Sequence, residues 1–284
     1  MNEKSPPPPG RNLLRQINRL FNQTEEPDPF TLRSLGNQAS ELHNSDPASA
    51  YRALAKLACL EHNFTRMSSY HQILINLQPD QPQAYLDYSN SLRKVGRYSE
   101  ARYQSERAFD LDPDNGDVLT NLVKDATISG RFRMAGDVIE KMIALAKPVY
   151  QRNHNFICNV IEHLDQWQIS DDVAEKLQKK ALFLLKQHNI VPQGIVRAPA
   201  VHLRLLHPNP EHAQPSAAIQ KSQATSYLQW KIQLGCENEK IELLNRQLIE
   251  LIQSDDFPVG LESCIQLTYM PWWRGNFLRD GFYL

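Results

Sequence analysis

The stretch "RKVGRYSEARYQSERAFDLDPDN", Arg93 to Asn115, is the part of the sequence that decides the fold. Its first residues end one helix, and Gly96 supplies a turn because glycine readily adopts left-handed backbone angles. A second helix follows, and Pro113 stops it because proline cannot continue a helix. The stretch therefore predicts two helices joined by a tight turn. The flanking sequence decides whether this is a single hairpin or one unit of a repeat.

The same pattern recurs every 34 residues on both sides of this stretch. The turn position is occupied by His62, Gly96 and Gly130. Pro79 and Pro113 end the first two units, and the third unit ends one residue late, at Pro148. An internal period of this length predicts stacked units, each covering the apolar flank of the next. The apolar and small residues recur in register as Tyr51, Tyr85 and Leu119; Leu54, Tyr88 and Leu122; Ala58, Leu92 and Ala126; Phe64, Tyr98 and Phe132; Met67, Ala101 and Ala135; and Leu74, Ala108 and Met142.

This pattern resembles the tetratricopeptide repeat (TPR), a helix–turn–helix unit that stacks into a solenoid. The resemblance covers residues 48–81, 82–115 and 116–149, and the middle unit fits best. The first unit departs from the pattern at His62, where the family has Gly, and at Met67, where it favours Ala. The resemblance implies an all-α fold in which Ala101 and Ala135 let paired helices approach closely.

The repeats span residues 46–149, and the segments on either side of them give separate predictions. Residues 1–10 predict a disordered Pro-rich tail, with docking into an aromatic groove as the alternative. Residues 11–45 predict a helical lead-in or degenerate repeat. Its basic amphipathic helix at 11–23 either packs on its own domain or binds a membrane or partner. Residues 150–190 predict two capping helices.

Residues 191–284 form a C-terminal region of unknown role, in which five prolines between Pro192 and Pro215 exclude a long helix. The alternation of Val201, Leu203 and Leu205 predicts a short strand. Helices are predicted at 217–234 and 238–253. The fold prediction is thus an all-α, TPR-type solenoid with helical caps and a smaller, mostly helical C-terminal region.

Composition narrows the class of protein. The formal net charge of −1 argues against a protein that coats nucleic acid. The four cysteines are widely spaced and contain no CxxC pair, which predicts free thiols in a reducing cytosol. The N-terminus lacks the apolar core of a signal peptide, and no apolar run approaches the roughly 20 residues of a membrane span. We therefore expect a cytoplasmic protein without membrane contact.

The TPR resemblance implies a concave groove lined by the first helix of each unit. With Asp117 included, basic residues in this lining outnumber acidic ones five to two, which suits an acidic segment or a peptide carboxylate. A solvated surface without a preferred ligand is the alternative, and the chain's own C-terminal segment is another possible occupant. The predicted protein-binding residues are Arg52, Lys56, Asp87, Asn90, Arg93, Lys94, Asn121 and Lys124.

One TPR subclass grips the C-terminal carboxylate of chaperones with lysine, arginine and asparagine side chains. Here Asp87 and Asp117 occupy positions where that subclass needs an amide or a cation. A carboxylate at such a position would repel the carboxylate of the ligand. The sequence therefore argues against binding of chaperone tails in that manner.

No catalytic or cofactor motif of the GxGxxG, GxxxxGK[ST], HExxH or GxSxG type is present. The chain is therefore predicted to be no enzyme and to bind neither cofactor nor metal, and to act as a scaffold or adaptor for a protein segment. The alternative is a protein whose repeats regulate a small catalytic or nucleic-acid-binding module at 191–284. The side chains behind that alternative are His202, His207, Glu211 and His212 as metal ligands, Cys236 or Cys264 as a nucleophile, and Trp272, Trp273, Arg274 and Arg279 as a base-stacking group.

Overall fold

The computed structural model describes residues 9–21, 23, 27–192, 201–206, 226–254, 257–258 and 260–271. The chain divides into two compact units, Met1–Asn121 and Leu122–Leu284. Most of the tail predicted at 1–10 lies outside the described residues. The first helix begins at Pro9, two residues before the predicted start at Arg11.

The first unit consists of helices that pack in sequence order. Prolines stand at the start of several of them, where a missing N–H costs nothing. Asp28 and Asp46 cap two helices by accepting hydrogen bonds from backbone N–H groups of the first turn. The helices are α1 (Pro9–Phe21), α2 (Pro29–Glu41), α3 (Pro47–Leu60), α4 (Phe64–Leu77), α5 (Pro82–Lys94), α6 (Tyr98–Leu111) and α7 (Gly116–Ser129), which continues into the second unit.

The amphipathic helix α1 packs on its own unit. Leu13 and Ile17 are buried in a cluster with residues of α2 and α3. Gly10 lies so close to α3 that a Cβ there would stand 2.8 Å from the Cβ of Ser49. The apolar face of α1 is thus covered by the neighbouring helices, so the packing alternative of the sequence analysis holds for this helix.

The turns of the three repeats have the same backbone geometry. His62, Gly96 and Gly130, which stand 34 residues apart in sequence, all have positive φ, at 55°, 76° and 88°. The N–H of the next residue donates to a carbonyl five residues earlier: Asn63 to Ala58, and Arg97 to Leu92. This is the Schellman arrangement that ends helices at a left-handed residue. The repeat seen in the sequence is therefore a repeat of backbone conformation.

The residues that recur in the sequence form the packed interior of these hairpins. The small residues Ala101 and Ala135 are completely buried, and the aromatic rings of Tyr98 and Phe132 are almost completely buried. Small side chains at these positions let two helices approach closely. The prediction of a helical, repeat-like fold is confirmed for this part of the chain.

The second unit adds helices and a small sheet. Its elements after α7 are α8 (Phe132–Ala144), α9 (Gln151–Gln166), α10 (Asp171–Gln187), β1 (Val201–Leu206), β2 (Tyr227–Leu234), α11 (Asn238–Ser254), α12 (Leu261–Cys264) and β3 (Ile265–Pro271). Ser170 caps α10, because its hydroxyl accepts a hydrogen bond from the N–H of Val173. Helices α9 and α10 lie in the range predicted for the capping helices.

The sheet has the order β1-β2-β3, with β2 antiparallel to β1 and parallel to β3. Trp230 pairs with Leu203 on one side and with Leu267 on the other. Its ring is fully buried and meets the ring of Phe132 edge to face at 5.8 Å. Tyr269 of β3 donates its hydroxyl to the carbonyl of Ala181 at 2.7 Å. Sheet and helices of this unit thus share one core.

The strand predicted at Val201–Leu205 is confirmed, whereas the helix predicted at 217–234 is wrong for residues 227–234. Leu228, Trp230 and Ile232 alternate with less buried residues, which is the period of a strand. Residues 217–225 lie outside the described part. The C-terminal region therefore combines helices with a sheet that the prediction of a mostly helical region did not include.

No helix in the described ranges has the length and apolar character needed to span a lipid bilayer. The four cysteines all lie in the described residues and form no disulfide.

Candidate functional site

The candidate site is the row of polar side chains that the first helices of the repeats present in the first unit. We call it the first-helix face. Its residues come from α3, α5 and the beginning of α7: Arg52, Lys56, Asp87, Asn90, Arg93, Lys94 and Asn121. Lys124, the eighth predicted residue, is half-buried on α7 within the second unit.

Arg52 and Asp87 join α3 to α5. The guanidinium Nε of Arg52 donates to Oδ2 of Asp87 at 2.5 Å. The Asp87 side chain is 5% exposed and that of Arg52 is 19% exposed, so water screens this pair little. The pair neutralises one of the cations predicted to bind an anionic ligand and links two consecutive repeats.

Lys56 is held by three neighbours. Its ammonium group lies 3.5 Å from Oδ1 of Asp87 and donates to Oδ1 of Asn18 at 2.7 Å. It also stands 5.9 Å from the centre of the Phe21 ring, within cation–π range. Lys56 is buried as a residue, so its charge serves the contact between α1, α3 and α5.

Arg93 continues the row toward the third repeat. Its guanidinium donates to Oδ1 of Asn90 and, at 3.0 Å, to Oδ1 of Asn121. Asn121 is fixed in turn because its amide donates to the backbone carbonyl of Asp117 at 2.9 Å. The predicted residues of the first unit thus form a polar row across three consecutive first helices.

The end of α1 lies against this face. The ammonium group of Lys94 stands 5.6 Å from the centre of the Phe21 ring. Burial lowers the pKa of Lys94, although the nearby Cys59 opposes that shift. Burial also raises the pKa of the Cys59 thiol to about 12, so this cysteine is protonated at neutral pH. The aromatic residues of the C-terminal segment, which the sequence offers as another possible occupant of the groove, begin at Trp272 and lie outside the described residues.

A buried histidine lies beneath the face. His71 of α4 is fully buried, shares a hydrogen bond of 2.8 Å with the Ser91 hydroxyl and stacks on Tyr88 at 4.7 Å. Burial lowers its pKa to about 3, Asp87 opposes the shift, and the nearby cations Lys56 and Arg52 add to it. His71 is therefore neutral at physiological pH and serves the packing of α4 on α5.

The charge of the face follows from these contacts. Four cations, Arg52, Lys56, Arg93 and Lys94, stand with one carboxylate, Asp87, which two of them share. Arg93 donates to the side-chain oxygens of Asn90 and Asn121, and Lys94 stands over the Phe21 ring. Hydrogen bonds from such charged donors to an acidic group are stronger than those between neutral groups.

The neighbours that support the side chains of the face could not be predicted from the sequence. Asn18 and Phe21 follow no 34-residue register, so no pattern pointed to their place beside Lys56. His71 was missed because a single histidine in a helix gives no signal of a partner. Its partner Ser91 stands 20 residues away in sequence.

Most side chains behind the catalytic and nucleic-acid alternatives lie outside the described residues, namely His207, Glu211, His212, Trp272, Trp273, Arg274 and Arg279. His202 belongs to β1. Burial raises the pKa of the Cys236 thiol, whereas a nucleophilic cysteine needs a lowered one. Cys264 ends the short helix α12.

A scan against protein-family models and a search of curated proteins both find no match for this chain. A function for this chain is therefore inferred from the geometry of the first-helix face.

Proposed function

We propose that this chain is a TPR-type scaffold or adaptor that binds an acidic segment of a protein on the first-helix face. The family assignment is supported by the 34-residue recurrence of the left-handed turns and of the buried small residues. A cytoplasmic location and the absence of enzymatic activity belong to the same proposal.

The observation that carries this proposal is the polar row across successive first helices. Arg52 and Asp87 link the first two repeats, and Arg93 and Asn121 link the second to the third. Such contacts hold the polar groups in fixed positions before a ligand arrives, which reduces the entropic cost of binding. The excess of cations gives the face its preference for acidic segments.

The contacts determine which residues can test the proposal. Glutamate at positions 52 and 56 would put two carboxylates beside the buried Asp87, so that double substitution would unfold the repeats. Arg93 and Lys94 are half-buried at the end of α5. The double substitution R93Q/K94Q removes their charge while keeping much of their length and hydrogen-bonding capacity.

The test is affinity capture from the native host followed by measurement of binding with the purified partner. We expect R93Q/K94Q to weaken binding at least tenfold and to reduce its dependence on salt. The matched control is R66Q/R107Q, which removes two exposed cations from the second helices α4 and α6. Circular dichroism must show that both variants are folded.

Equal partner affinity in the two double variants would contradict the proposal. If both double variants lost the partner to the same extent, the loss would reflect a general effect of charge. Binding on the first-helix face would be contradicted in that case too.

The C-terminal module remains the alternative, and the contacts show how to test it. Removal of residues 191–284 would uncover Phe132, which packs on Trp230, and Ala181, whose carbonyl accepts from Tyr269. A deletion would therefore damage the helices as well as remove the module. Substitution of the side chains named for the alternative, such as H207A/H212A, removes neither of these two contacts. Loss of a measured catalytic or nucleic-acid-binding activity in this variant would favour the alternative.

A further inference from the structure

Three side chains with metal-binding groups meet on the surface of the second unit. They are Glu140 of α8 and His154 and Cys158 of α9, and their ligand atoms all lie within 4.8 Å of one another. Among the residues that the structure describes, no other group of three histidine, cysteine or acidic side chains meets this closely. The first-helix face contains none of these residues, so the cluster is a separate feature.

Helix geometry accounts for two of the three ligands. His154 and Cys158 are four residues apart, and such residues lie one above the other on the same face of a helix. Their imidazole and thiol groups therefore project toward the same point in space. Two side chains spaced in this way, His154 and Cys158, can bind the same metal ion.

The close packing of α8 on α9 supplies the third ligand. At Gly136 a Cβ would lie 2.8 Å from Cδ1 of Ile161, so the absent side chain lets the two helices approach closely. Glu140 stands one turn beyond Gly136 and faces α9. Its Oε1 lies 3.0 Å from Nε2 of His154. Two ligands on one metal stand roughly 3.3 Å apart when each bond is about 2.0–2.1 Å and the geometry is tetrahedral.

The donor set selects the kind of ion. One imidazole nitrogen, one thiolate sulfur and one carboxylate oxygen suit Zn²⁺ and its substitute Co²⁺, whereas Mg²⁺ and Ca²⁺ prefer oxygen ligands alone. Cys158 is exposed and His154 is 24% exposed, so an ion reaches the group from solvent without opening the fold. Three protein ligands leave one tetrahedral position for water.

We propose that Glu140, His154 and Cys158 form a binding site for Zn²⁺ or a similar transition-metal ion that joins α8 to α9. On binding, the imidazole of His154 carries its proton on Nδ1 so that Nε2 is free to bond to the metal, the carboxylate of Glu140 bonds to the metal, and the Cys158 thiol releases its proton to solvent. The ion would therefore stabilise the packing of α9 on the preceding helix, and its affinity would fall with decreasing pH because protons compete for the ligands.

The test is titration of the full chain with Co²⁺ and then Zn²⁺ under reducing conditions free of chelators. We expect one equivalent of Co²⁺ to produce near-ultraviolet absorption from charge transfer between thiolate and metal, and Zn²⁺ to displace it. E140Q, H154Q and C158S should each weaken binding at least about tenfold, as loss of even a supporting contact to a ligand does. C158S should abolish the charge-transfer absorption altogether.

The matched controls are H163Q and C236S, which remove a histidine from the same helix and a cysteine from elsewhere in the same unit. Both should bind Co²⁺ as the unaltered chain does. A rise in melting temperature with Zn²⁺ should occur in the controls and be absent from H154Q and C158S, which separates metal binding from damage to the fold.

Absence of Co²⁺ binding by the unaltered chain would overturn the proposal. Binding that survives H154Q and C158S would overturn it too and would place the metal elsewhere, for example at His207 and His212. The three ligands lie outside the first-helix face. Neither result therefore bears on the function proposed for that face.

Discussion

Arg52 of the first repeat and Asp87 of the second form an ion pair from which water is largely excluded, with 2.5 Å between Nε and Oδ2. The two residues are 35 positions apart, close to one repeat length. The pair therefore couples the stability of neighbouring repeats to the charge of the first-helix face. Arg52, which the sequence predicts to bind a ligand, is engaged in this contact between two repeats.

Loss of the Asp87 charge should destabilise the first unit. In D87N, Arg52 and Lys56 would keep their charges without the carboxylate that both contact. Removing one member of a buried ion pair costs about 3–5 kcal/mol because the remaining charge stays desolvated. We expect a loss of about 3 kcal/mol in the free energy of unfolding, measured by urea denaturation.

The control for D87N is E100Q, which breaks the exposed pair between Arg97 and Glu100. Exposed pairs contribute at most about 1 kcal/mol, so E100Q should unfold almost as the unaltered chain does. Equal stability of D87N and E100Q would show that the Arg52–Asp87 pair has no special role.

His71 should make the first unit sensitive to acid. Its pKa is lowered to about 3 in the folded chain, whereas an unfolded histidine titrates near pH 6.5. Between pH 6.5 and pH 3, His71 is therefore protonated in the unfolded chain but neutral in the folded chain. The contribution of neutral His71 to stability is complete above pH 6.5 and is lost as the pH falls toward 3, by about 1.4 kcal/mol per pH unit.

The measurement compares urea denaturation of H71Q and of the unaltered chain from pH 7 to pH 4. Glutamine does not titrate, so the stability difference between the two should shift in favour of H71Q as the pH falls. H62Q, which removes an exposed histidine, should leave the pH profile unchanged. A stability difference that stays constant with pH would contradict a buried, neutral His71.

The turns should respond differently to substitution although their backbones are alike. In G130A the new Cβ would lie 2.9 Å from the backbone carbon of Ala174 and 2.9 Å from the backbone nitrogen of Glu175, in an unfavourable left-handed conformation. We expect G130A to cost about 2 kcal/mol or more, since both backbone strain and displacement of α10 oppose it.

His62 already adopts the left-handed conformation, which costs a residue with a side chain about 1–2 kcal/mol. H62G removes that strain but adds chain entropy to the unfolded state, so we expect a net gain of under about 1 kcal/mol. Thermal melting of G130A and H62G measures the contrast. A G130A chain as stable as H62G would show that the turn does not restrain the helices.

The sequence predicts the repeats well because their signals are local. Gly96 and Gly130 mark the turns, and the 34-residue period places first and second helices without knowledge of any distant contact. The choice of residues for the face follows from the resemblance to the TPR family. The contacts among these residues could be predicted only in part. The hydrogen bond from Arg93 to Asn121, for example, depends on the angle at which the helices cross.

The sheet could not be predicted in the same way. Strand β2 pairs with residues 21 to 31 positions before it and 37 positions after it, so its edges are satisfied only by distant segments. The alternation of Leu228, Trp230 and Ile232 is a local strand signal, and the helix predicted at 217–234 overlooked it. The burial of Trp230 against Phe132 decides the strand, and that contact is tertiary. The same holds for Glu140, which reaches His154 only through the packing of α8 on α9.

The packing of β2 on the helices should make the C-terminal sheet necessary for the stability of α8. Replacing a buried tryptophan by alanine costs about 3–5 kcal/mol, through lost apolar burial and the cavity left behind. In W230A that cavity would open beside Phe132, so we expect faster hydrogen exchange of the amides of α8. Q229A, on the less buried side of the same strand, should leave that exchange unchanged. Unchanged exchange in α8 of W230A would instead indicate an independent C-terminal module and would favour the alternative function for residues 191–284.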